Sequence, residues 1–64
     1  MSFDELSDKI RYEGRTMTDE EWLECNEEYK QLSEEEQQRF IRTLSGRFFS
    51  QVVGTILYNR RKGV

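Results

Sequence analysis

SEEEQQRFIRTLSGRFFSQVVGTILYNRRK, residues 33–62, is the stretch whose reading decides the fold. Three glutamates open it and Arg60-Arg61-Lys62 close it. Acids in a first turn and bases in a last turn both favour the helix dipole. Ser33 with Glu36 three residues on is a capping box, in which hydroxyl and carboxylate each satisfy an orphan backbone N–H. The run therefore predicts a long C-terminal helix. Two readings compete at Leu44-Ser45-Gly46: a continuous helix, or a break with Gly46 as terminator and a short helix beyond it. Glycine inside a helix costs about 1 kcal/mol relative to alanine, so an unbroken helix needs a packing reason for Gly46 and Gly54. Gly46, Ser50 and Gly54 recur at i, i+4 and i+8, a row that lets a second backbone approach closely, and this favours continuity.

The same helix carries Phe48, Phe49, Val52, Val53, Ile56 and Leu57. On a helical wheel they cover about 180°, whereas packing on one neighbour requires a stripe of about 100°. The excess width implies a second partner. Closed twofold dimers are the commonest soluble assemblies, so the expected partner is another copy, as a homodimer or higher homo-oligomer. The interface would use these six apolar residues and the row Gly46, Ser50, Gly54.

Upstream, two more capping boxes mark helix starts. Ser2 and Glu5 open a helix over about residues 3–13, with Met1 and Leu6 as its hydrophobic staple and Phe3, Leu6 and Ile10 as its apolar stripe. Gly14 is the expected terminator, through its tolerance of a left-handed turn. Thr18 and Glu21 open the next helix, stapled by Met17 and Trp22, with a seam of Trp22, Cys25, Tyr29 and Leu32. Because Ser33 directly follows Leu32, the second and third helices are expected to form an antiparallel hairpin. Phe40, Ile41 and Leu44 would face the partner helix, and the expected core is Trp22, Tyr29, Leu32, Phe40 and Leu44. The fold class is thus all-α: three helices in one small domain over residues 1–64, with a long C-terminal helix in which Gly46 marks the place of any break.

A chain of 64 residues buries only about 60% of the surface that its unfolded form exposes, so small domains commonly add a staple. Cys25 is the one cysteine and there is no histidine, which leaves no internal disulfide and no ordinary zinc site; association is the remaining route. A single thiol, no secretory pattern over residues 1–14 and no apolar run near twenty residues are the marks of a cytoplasmic protein without a membrane span. The 11 residues from Phe48 to Tyr58 are too short to cross a bilayer. Arg47, Gln51 and Thr55 also give the helix a polar face thin in cations for an interfacial anchor.

Charge divides sharply along the chain. Residues 1–36 hold all 13 acids against four bases, a net of −9, while residues 37–64 hold six bases and no acid, +6. Neutralisation within the molecule is the first reading of that asymmetry. Glu20, Glu21, Glu24, Glu27 and Glu28 form an acidic face opposite the seam of the second helix. Their helical spacing of about 5 to 6 Å approaches that of phosphates along a strand. The face therefore suits a partner protein, and in a sharper version it mimics nucleic acid in another protein's basic groove. Arg39, Arg42, Arg47, Arg60, Arg61 and Lys62 form a candidate basic patch. Direct DNA or RNA binding through it is the weaker reading, because the chain is acidic overall and last-turn bases are explained by the dipole. No nucleophile with an adjacent base, no cofactor loop and no metal-ligand spacing is present, so neither catalysis nor a cofactor is expected. The reading that results is a non-catalytic regulatory or inhibitory module that self-associates through its C-terminal helix and binds a partner protein.

Overall fold

The computed structural model describes residues 2–63, and every regular element among them is helical. Four α-helices are present: α1 (Phe3–Glu13), α2 (Asp19–Lys30), α3 (Glu34–Phe40) and α4 (Leu44–Lys62), with a 3-10 turn at Gly14–Thr16. The first three start where the capping residues place them. Glu5 N donates to Ser2 Oγ (3.2 Å), while the boxes at Thr18–Glu21 and Ser33–Glu36 are closed in both directions. The Met1 half of the first staple lies outside the described residues.

The C-terminal run corrects the expectation of one continuous helix. It breaks after Phe40, upstream of Gly46, and Gly46 terminates nothing. Thr43 is the N-cap of α4: its Oγ1 accepts from Gly46 N (2.9 Å) and donates to Phe40 O (2.7 Å), and Thr43 N donates to the same carbonyl (3.0 Å). This corner presses the first turn of α4 onto the end of α3. A Cβ on Gly46 would overlap the Phe40 carbonyl oxygen, so the glycine is required by close approach within the chain. Gly14 is corrected in the same sense. Its backbone is right-handed (φ −55°, ψ −34°), and a Cβ there would sit 3.2 Å from the Phe48 ring and 3.4 Å from the Trp22 indole. Packing, not a left-handed turn, is its use.

The break rearranges the expected hairpin. Both α1 and α2 lie against α4, and α2 runs antiparallel to it: Glu20 near the start of α2 pairs with Arg60 (2.6 Å), and Tyr29 near its end packs on Phe49 (ring centroids 5.2 Å). Short α3 lies against α1 and is held to the end of α2 by Gln37 Nε2 donating to Tyr29 O (3.0 Å). The core is Leu6, Ile10, Trp22, Cys25, Phe40, Phe49, Val53 and Ile56, with Phe3, Met17, Leu23, Tyr29, Leu32 and Val52 packed around it. Phe40 is fully enclosed and sits edge-on to Phe3 (5.6 Å) and Phe49 (5.5 Å). Such aromatic pairs add about 0.5–1.5 kcal/mol each beyond their area burial. Leu44, expected in the core, is 85% exposed, because the corner at Thr43 turns the first residue of α4 outward; Ile41, in the same corner, is exposed as well.

Candidate functional site

α4 is apolar over a wider arc than the fold consumes. Phe49, Val53 and Ile56, with Gly46, face inward and are buried by the chain itself, which removes them from the expected self-association surface. Two flanks remain. On one, Leu44 is 85% and Phe48 42% exposed, with half-buried Val52 continuing the row at i+4 and i+8. On the other, Leu57 is 44% exposed beside Ser50 and Gly54. Nothing lies within 4 Å of a Cβ built on Gly54, so no contact inside the chain accounts for that glycine.

Phe48 sits at the centre of the first flank. Its ring meets Trp22 edge-on (5.4 Å), which fixes its orientation from below while its outer side stays open. An open groove of about 530 Å³ lies to one side, between the start of α2 and α4, where Asp19, Gln51, Thr55, Asn59 and Arg60 border Phe48, Val52 and Ile56. A cleft of about 300 Å³ lies to the other, between α1 and the first turns of α4, where Arg11 and Arg15 border Leu44 and Phe48. An apolar centre within a polar rim is the usual anatomy of a protein-binding patch.

The charged candidates are distributed otherwise than the sequence grouped them. Of the expected acidic face, Glu20, Glu24 and Glu27 are exposed on α2, and Glu21 and Glu28 are half-buried. Glu20 receives Arg60 and Glu27 receives Lys30 (3.5 Å), so part of the face is neutralised by the chain's own bases. Both pairs are largely solvated, a setting in which an ion pair contributes about 0–1 kcal/mol. The six bases are spread from the end of α3 to the end of α4. Arg39 lies over the Phe3 ring (5.4 Å), Arg60 reaches α2, and Lys62 lies over Tyr58 (6.0 Å). Arg47 and Arg61, 14 residues apart on α4, are separated by about 21 Å of helix rise.

Cys25 is buried among the core side chains, and burial raises its thiol pKa above the ordinary value; Glu24, Glu13 and Glu21 add to the rise and Lys9 opposes it. A thiol held protonated in an apolar setting is a packing group rather than a nucleophile. Among the described residues, no acidic or thiol cluster is arranged to hold a metal ion, and no helix is long and apolar enough to cross a membrane. The sequence missed Leu44, Arg11 and Arg15 as surface candidates, because only the corner at Thr43 brings the start of α4 alongside α1. Comparison of the chain with protein-family models, curated proteins and solved structures returns no match.

Proposed function

We propose that this chain is a non-catalytic protein-interaction module of regulatory or inhibitory type, with α4 as its docking element. The observation that carries this reading is the surplus of apolar surface on α4: its inward residues complete the core, yet Leu44, Phe48 and Leu57 remain open to solvent. The two flanks suit two kinds of contact. The Leu57 edge, where Gly54 and Ser50 leave room for a second backbone, supports self-association as a homodimer. The Leu44–Phe48 edge supports binding of another protein.

Sedimentation of the native chain at micromolar concentration tests the first contact. A species of about twice the 7.8 kDa chain mass is expected, and Leu57→Glu should return it to a monomer with unchanged helicity. A wild-type monomer throughout the concentration range would remove self-association from the reading.

One observation also favours a second reading of the acidic face. Glu20, Glu24 and Glu27 are exposed along α2, which supports this reading, while Arg60, 2.6 Å from Glu20 within the same chain, would have to be displaced by a foreign basic groove. Reversal of exposed Glu24 and Glu27 to lysine should preserve the circular dichroism spectrum and abolish binding to a heparin-eluted, nucleic-acid-binding partner fraction. Undiminished binding would discard mimicry.

A further inference from the structure

The cleft between α1 and the first turns of α4 selects its occupant by charge. Two of the residues lining it are arginines, Arg11 and Arg15, and the rest that carry a side chain of note are Ile10, Leu44 and Phe48. No carboxylate lines this part, and Asp8 stands at the outer end, where the cleft continues along α1 past Thr43. Arg11 lies over the Tyr12 ring (5.5 Å), and among the described residues no carboxylate lies within ion-pair distance of Arg11, Arg15 or exposed Arg47, which follows Leu44 by three residues on α4. In a chain of net charge −3, these bases sit around the most exposed leucine of the molecule, with Asp8 the one acid that shares a hollow with it.

From this juxtaposition we infer that the Leu44–Phe48 edge binds an acidic amphipathic helix of another protein, its apolar side chains on Leu44 and Phe48 and its carboxylates on Arg11 and Arg15. The inference rests on the reading of α4 as a docking element and names the partner's chemistry. A second copy of the chain is the less suitable occupant of this edge. Residues 37–63 contain no acid, so a twofold contact of α4 on α4 centred at Phe48 would set arginines against each other. An amphipathic helix laid in a groove presents anchors at i and i+4, the spacing that Leu44 and Phe48 themselves have.

The test titrates three synthetic helical peptides into the isotope-labelled full chain by NMR. All carry leucine and phenylalanine at i and i+4, flanked by glutamates, by glutamines or by lysines. The glutamate peptide should shift the amides around Arg11, Leu44 and Phe48, bind about tenfold more tightly than the glutamine peptide, and weaken with added salt. Arg11→Gln with Arg15→Gln should erase that preference, and Leu44→Ser should weaken all binding while leaving the core spectrum unchanged, since Leu44 is outside the core. If the glutamine or lysine peptide binds the same amides equally well, the charge selection is overturned and the docking element survives. If no peptide perturbs these amides, both are overturned at this edge; if concentration-dependent dimer formation through Leu44 and Phe48 shuts the peptides out, the acidic partner is overturned and α4 docks a second copy there.

Discussion

Gly46 and Gly54 stand two turns apart on one row of α4, and their surroundings differ completely. Gly46 lies in the first turn, under the end of α3, where the Phe40 carbonyl occupies the space of any side chain; around Gly54 there is only solvent. The row has therefore two meanings: at one end it closes the molecule's own core, and at the other it leaves a vacancy that nothing in the chain fills. Residue type alone does not separate a glycine needed inside a fold from one that a second molecule would use.

The largest effect belongs to the closed end. Gly46→Ala must push α3 and α4 apart, and overpacking of this kind destabilises by about 1–3 kcal/mol or more. Urea denaturation followed by circular dichroism should show the midpoint fall, and a loss under about 0.5 kcal/mol, the range of ordinary surface substitutions, would break the comparison. Next comes the corner that holds this end in place. Thr43→Ala removes the cap on Gly46 N and the hydroxyl donated to Phe40 O, a change that costs about 1 kcal/mol at helix N-termini. Thermal denaturation should register it, whereas Thr43→Ser should recover most of the difference. The smallest effect has the opposite sign. Gly54→Ala should stabilise the monomeric fold by about 0.5–1 kcal/mol, since alanine is the better helix former and meets no atom there. If the same substitution weakens self-association in sedimentation, the vacancy is an approach surface; if association is unaltered, only the helix propensity was at stake.

Helix starts were legible to the residue at Ser2, Thr18 and Ser33, because a capping box is a contact between residues three apart and needs no knowledge of the rest of the chain. The fourth start was not. Thr43-Leu44-Ser45-Gly46 has glycine where the box has an acid, and what decides the corner is the approach of α3 to α4, a contact set by the packed rings of Phe3, Phe40 and Phe49. The α2 seam was legible as a period: Trp22 and Cys25 are buried, and Tyr29 and Leu32 pack at the edge of the core. For the candidate site, the width of the apolar arc on α4 was plain in the sequence. Which of its residues stay outside was not, because that depends on α1 and α2 both converging on the same side of the helix. Leu44 shows the limit well, since its spacing from Phe40 reads as core until the corner turns it away.

Trp22 adds a practical consequence. The chain has one indole, and its edge lies against Phe48, whose far side is open to whatever lands there. An occupant that shifts the phenyl ring alters the surroundings of the only strong near-ultraviolet emitter in the molecule, so the protein carries a built-in optical gauge of its own exposed edge. Emission wavelength and quenching by acrylamide would then follow occupancy without any attached dye.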